Sequence, residues 1–255
     1  MLTSFLALYC TALSQGPAPQ TAPPKPSAII SKMIERYSTA KTITGTIKLR
    51  QGVKDAAPGS VVTILQFDKP SKLYIQQTLR ASEGGSWLIV SDGKRFSYDA
   101  PELPFVRKGQ RLVEPLAQPG AEPLDIRGVY SVAGQTLEDR SAPLDIALGR
   151  LQDLQLFTSQ LVTLEYLGKA KIGEQEVTVI GGGWRPYNTA PPAEPMPASG
   201  RFEIYISDAG DLKRYIVRQM VGRPDGTNPF EVTSQWEVDL TVNGTPDPSL
   251  FKVAL

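Results

Sequence analysis

The chain has no histidine in 255 residues and one cysteine, Cys10. Cys10 lies in an apolar N-terminal stretch that is expected to be removed, so the mature protein would carry neither an imidazole nor a thiolate. Those two absences take away the commonest routes to general acid–base, covalent and zinc-assisted catalysis. They also rule out a disulfide framework, so the fold must stand on its apolar core, which a chain of this length can build. An excess charge of one sign is missing too. Lys and Arg number 27 against 26 Asp and Glu, which gives no electrostatic footprint for nucleic acid or an anionic membrane surface. Long hydrophobic runs are lacking: the apolar stretch Met1–Ser14 is too short to span a bilayer, and no other window is longer. Binding is therefore expected rather than chemistry, with no cofactor, no metal and no enzymatic activity.

What is present begins with an export signal. Residues 1–14 have the length of a signal-peptide apolar region, with Ala12 and Ser14 as small residues at a cleavage site, although the usual basic start is missing. A periplasmic or other cell-envelope location is expected. Lipid attachment at Cys10 is disfavoured by the bulk of Tyr9. Residues 15–26 (QGPAPQTAPPKP) form a Pro/Ala-rich tether, extended because repeated proline blocks helix. Residues 27–255 then read as a single domain.

That domain opens with an amphipathic helix over 27–41. Ile29, Ile30, Met33, Ile34 and Tyr37 recur at helical spacing, and Ser27 is the expected N-cap. From Thr42 the period changes to two. Strands are expected at 42–47, 61–67, 73–79, 87–90 and 96–98, with Ser91-Asp92-Gly93 as a hairpin turn. Residues 101–142 show no clear period. A second helix is expected over 143–157, with Leu144, Ala147, Leu148, Leu151 and Leu154 as one stripe. Further strands follow at 161–167, 170–180, 201–207, 213–221 and 230–242. In the last of these, Phe230, Val232, Trp236, Val238, Leu240 and Val242 share one face, the mark of an antiparallel sheet with one dry side. Residues 184–200 form a long Pro-rich loop. The economical architecture is mainly β: a curved antiparallel sheet with two helices in its concavity.

The stretch Gln66–Pro101 reads QFDKPSKLYIQQT and then WLIVSDGKRFSYDAP. Lys69-Pro70, Leu73-Tyr74-Ile75, the hairpin Val90–Lys94 and Tyr98, together with the ending from Leu240 to Phe251, resemble LolA, the periplasmic carrier of outer-membrane lipoproteins, and its relatives. The resemblance implies an open, half-closed antiparallel β-barrel whose apolar concave face is covered by helices. It implies a carrier in outer-membrane lipoprotein sorting that holds the acyl chains of a lipoprotein or lipid reversibly, as a monomer, between a membrane donor complex and an acceptor. An RseB-like envelope stress sensor or regulatory interaction protein is the alternative on the same fold. In that family an arginine before the proline latches the helical lid. Lys69 stands there instead, and lysine has no planar fork.

The candidate lipid-binding residues are the helical stripes Ile30, Met33, Ile34 and Tyr37 and Leu144, Leu148 and Leu151, with Leu65, Phe67, Leu73, Ile75, Trp87 and Ile89 as walls. Each stripe reads equally as plain core or as a displaceable lid, and which sheet face is concave stays open, since a one-residue slip swaps the faces. Gly181-Gly182-Gly183 reads as a flexible turn, because no Lys-Ser/Thr follows to make a phosphate loop. Asp92, Asp99, Asp125, Asp139 and Asp145 are available as carboxylates, but a catalytic pair among them is not expected.

Overall fold

The computed structural model describes residues 24–53, 57–79, 86–99, 110–118, 120–149, 151–186, 199–221 and 230–253. The expected signal peptide, Cys10, most of the tether and most of the loop 184–200 lie outside the described residues.

Helix α1 (Pro26–Ser38) leads into a meander of six strands: β1 (Thr42–Val53), β2 (Gly59–Asp68), β3 (Lys72–Leu79), β4 (Ser86–Asp92), β5 (Arg95–Asp99) and β6 (Arg111–Pro115). Helices α2 (Ile126–Ala133), α3 (Ala142–Leu148) and α4 (Leu151–Gln160) follow. A second meander then runs through β7 (Glu165–Ile172), β8 (Gln175–Trp184), β9 (Gly200–Ser207), β10 (Leu212–Val221) and β11 (Phe230–Val242). The meanders join where β11 pairs β1, giving one antiparallel sheet in the order β6-β5-β4-β3-β2-β1-β11-β10-β9-β8-β7. β6 and β7 remain the two edges, so the barrel is open.

Alternation decides which face is dry. Leu65, Ile75, Ile89 and Tyr98 lie abreast on β2 to β5, and Phe67 lies opposite Leu73. Across the seam Ile47 faces Val238. These side chains belong to one apolar cluster that reaches from Phe96 on β5 to Ile180 and Trp184 on β8 and takes in all four α-helices. A single core shared by both meanders and the helices requires the sheet to curl around them. Gly45 assists at the seam. Its φ is +143°, and a Cβ there would sit 2.0 Å from the Asp239 carbonyl oxygen, so only glycine lets β1 and β11 approach this closely.

The sequence reading needs correction at five places. The helix expected over 143–157 is two helices: Gly149, at φ +65°, caps α3 in the left-handed conformation and turns the chain. Its absent side chain also brings the turn against α1, since a Cβ would stand 3.1 Å from Ser38 Cα. In α1, Pro26 is the first helical residue and Lys25 precedes it, so Ser27 lies inside the first turn and is not the cap. The unassigned stretch 101–142 contains β6 and α2, the latter capped by the Asp125 carboxylate through the backbone N–H groups of Arg127 and Gly128. The turn between β7 and β8 falls at Gly173, not near Gly168, where the pairing shifts register instead. Gly181, Gly182 and Gly183 belong to strand β8 rather than to a turn.

Candidate functional site

The candidate site is the concave face and the helices that fill it. Leu65, Phe67, Leu73, Ile75 and Ile89 all point into the concavity and are fully buried, and Trp87 packs half-buried at its edge beside Gln77. The α1 stripe meets them: Ile30, Met33 and Tyr37 are buried, and Ile34 packs half-buried against the same cluster. Leu144 and Leu148 enter it from α3. Leu151 opens α4, and its side chain lies outside the described ones. The sheet and both helical stripes are therefore brought together, and helix side chains occupy the concavity.

Polar contacts tie α1 across one end of the concavity. Lys32 Nζ donates to the Asp208 carbonyl oxygen at 2.6 Å, and Arg36 Nε pairs with the Asp211 carboxylate, both on the β9–β10 turn. The Leu212 backbone N–H donates to the Tyr37 hydroxyl at 3.1 Å. Burial, with the Asp211 carboxylate nearby, holds the Tyr37 phenol far above its usual range. On the other meander, Lys69 Nζ donates to the Ser38 carbonyl oxygen at 3.0 Å, at the C-terminus of α1. A cation is favoured there by the exposed carbonyls of the helix end. Desolvation lowers the Lys69 pKa, Arg127 lowers it further and Asp125 opposes the shift. α1 is thus a strap whose C-terminal half is tied to both meanders.

The opposite end is closed by the segment Leu137–Ser141, which the sequence reading left without structure. Gln77, fully buried on β3, clasps it: the side-chain amide donates to the Asp139 carbonyl oxygen at 2.7 Å and its oxygen accepts from the Asp139 N–H at 3.0 Å. Gln77 also donates to Thr63 Oγ1 at 3.0 Å. The Asp139 carboxylate accepts from Trp236 Nε1 on β11 at 3.1 Å. Burial pushes the Asp139 pKa up to about 6, against the Trp236 and Ser141 contacts that lower it. One signal for this clasp was in the sequence. Gln77 keeps the parity of Leu73 and Ile75, so it had to point into the core, and a buried amide needs partners.

Beside the clasp lies a cavity of about 330 Å3, with Asp139, Ser141, Trp184, Tyr215 and Trp236 in its wall. Tyr215 stacks on Trp236 at 5.4 Å and meets Phe157 edge-on at 5.9 Å. The other candidate carboxylates are spread across the molecule. Asp92 accepts the N–H groups of Lys94 and Arg95 in its hairpin turn. Asp99 accepts from the Leu88 N–H and from Arg111. Asp145, in the first turn of α3, accepts from the Tyr130 hydroxyl at 2.9 Å. Each therefore has a structural partner. Among the described residues, no group of three or more carboxylate, Cys or His side chains is placed to hold a metal ion, and no helix is long and apolar enough to cross a membrane.

No family model matches the chain, and no curated protein matches it by sequence. Solved structures do match. The lipoprotein LppX of Mycobacterium tuberculosis is 12% identical, with 86% of this chain and 96% of that one covered and a TM-score of 0.41. MucB is 10% identical, with 90% and 62% covered and a TM-score of 0.43, and it has also been solved in complex with MucA(peri). A LolA superfamily protein from Nitrosomonas europaea is 12% identical, with 89% and 97% covered and a TM-score of 0.32.

Proposed function

We propose that this chain is a cell-envelope carrier of acylated cargo, a lipoprotein or a lipid, whose acyl chains replace the helical stripes on the concave face. The observation that carries this reading is the way the apolar face is covered. Four helices supply the filling, and the polar ties of α1 to the rim lie in its C-terminal half, through Lys32, Arg36, Tyr37 and the Ser38 carbonyl that Lys69 holds.

The physical reason for such a filling is reversibility. Each buried methylene contributes about 0.8 kcal/mol, so several chains in an open dry trough would bind too tightly to release. Helices that must first be displaced reduce the net gain. Met33, unbranched and adaptable, suits a surface that meets helix in one state and acyl chain in the other. In this reading Lys69 is the latch. Arginine's fork would hold two carbonyls, and the single ammonium holds one at lower cost to open. An envelope location and monomeric transfer between a membrane donor and an acceptor complete the proposal.

Native mass spectrometry of the purified protein, before and after detergent extraction, tests it. Bound species of lipid mass that extraction removes are expected. A protein that neither carries lipid nor takes it up from vesicles would refute carriage, and capture of a membrane-protein partner without lipid would favour the RseB-like regulatory role.

A further inference from the structure

Five buried side-chain polar atoms among the described residues lack a hydrogen-bond partner, and three of them, Ser141 Oγ, Trp184 Nε1 and Tyr215 Oη, belong to the wall of the 330 Å3 cavity. All three residues are more than nine-tenths buried. The Trp184 indole lies beside the Tyr215 hydroxyl, and Ser141 lies beside the Asp139 carboxylate, but neither pair reaches hydrogen-bond geometry. Buried donors are normally paired, and each exception calls for a reason. Next to them stands an acceptor, the Asp139 carboxylate, which the Trp236 indole only partly satisfies.

We propose that this cavity is a polar subsite for the uncharged polyol headgroup, a glycerol or a sugar, of a lipid whose chains lie on the concave face. The subsite rests on the carrier function proposed above. The donors of Trp184, Tyr215 and Ser141 call for acceptor oxygens, and Asp139 calls for a hydroxyl donor. A polyol supplies both within one small group. A phosphate does not fit the charge: Glu138, Asp139 and Arg140 line the cavity, and the one cation among them is already engaged, over the Tyr130 ring at 5.3 Å and toward Asp153. A quaternary ammonium has no acceptor to offer the unpaired donors. The volume lies at the small end of the roughly 300–1,000 Å3 typical of small-molecule sites, as a headgroup requires. The donor atoms are closed to water, so a headgroup reaches them as the segment Leu137–Ser141 lifts from Gln77.

Four probes with eight-carbon chains separate the outcomes: octyl β-glucoside, 1-octanoylglycerol, octylphosphocholine and octyltrimethylammonium. Their affinities for the whole protein are measured by calorimetry below the micelle concentration. At least one polyol probe is expected to bind ten-fold or more tightly than both charged probes, and the glucoside and glycerol arms show which polyol is meant. Tyr215→Phe and Ser141→Ala are expected to shrink that preference to within three-fold, leave the charged probes unchanged and keep or raise the thermal midpoint. Equal binding of all four probes, or tighter binding of a charged one, would overturn the subsite and leave carriage standing. Preference retained in the variants, with a lowered midpoint, would assign these groups to structure and overturn it as well. Failure of every probe to bind would remove both the subsite and the carrier function beneath it.

Discussion

The two ends of the concavity are closed in different ways. At the α1 end the buried polar groups are paired: Tyr37 accepts from Leu212, and Lys69 reaches Ser38. At the clasp the segment Leu137–Ser141 seals a region where a carboxylate is buried and hydroxyl and indole groups lack partners. An end built only for stability would resemble the first. The second keeps unsatisfied polar groups inside the protein, and each costs about 1–3 kcal/mol. On the reading proposed above, the strap holds the fold closed and the clasp receives something polar.

Truncating the same residue type at each end gives the largest contrast. Leu65→Ala, in the dry wall, is expected to lower the unfolding free energy by about 3–5 kcal/mol. Leu49→Ala, beside the cavity, is expected to cost less than half of that, because its surroundings are already open on one side. Urea titration of both variants measures the gap, and equal losses would erase the distinction.

The pH dependence comes next. The folded Asp139 pKa is raised from 3.8 to about 6, so the folded state holds its proton more tightly than the unfolded chain does. The stability from this group is complete below about pH 4 and is lost as pH rises through about 6. The full shift corresponds to at most about 3 kcal/mol. Asp139→Asn keeps an acceptor for Trp236 and carries no charge. It is expected to flatten this part of the profile and to leave the variant about 2 kcal/mol more stable than the parent at pH 7.5. Chemical denaturation at pH 4.5, 6 and 7.5 reads both effects.

A smaller gain is expected from Tyr215→Phe. Removing an unpaired buried hydroxyl should raise stability by about 1 kcal/mol, seen as a higher urea midpoint at unchanged slope. At the strap the sign reverses. Lys69→Ala loses the bond to the Ser38 carbonyl and should cost about 1 kcal/mol. Amide exchange of α1 should quicken in this variant while that of β2 to β4 stays unchanged.

Much of the strap and the wall was legible in the sequence. The alternation of Leu65 and Phe67 with Ile64 and Gln66, the turn at Asp92-Gly93 and the helical spacing from Ile30 to Tyr37 are local patterns with local causes. The wall residues do share a face, and that face is the concave one. The clasp was not legible as a unit. Gln77 and Asp139 are 62 residues apart, and Asp139 and Trp236 are 97 apart, so only folding brings them together. Helix α2 is eight residues long and lay in a segment without a readable period. The break at Gly149 was hidden because the apolar spacing of Leu144, Leu148 and Leu154 continues across it, although the chain does not.

Amide hydrogen exchange, followed by mass spectrometry while lipid is titrated into the protein, tests the central claim most directly. Loading should speed exchange throughout α1 and α3 and leave the inner strands β2 to β4 as protected as before. If lipid binds while α1 and α3 keep or increase their protection, the helices are fixed core and the displacement account is wrong.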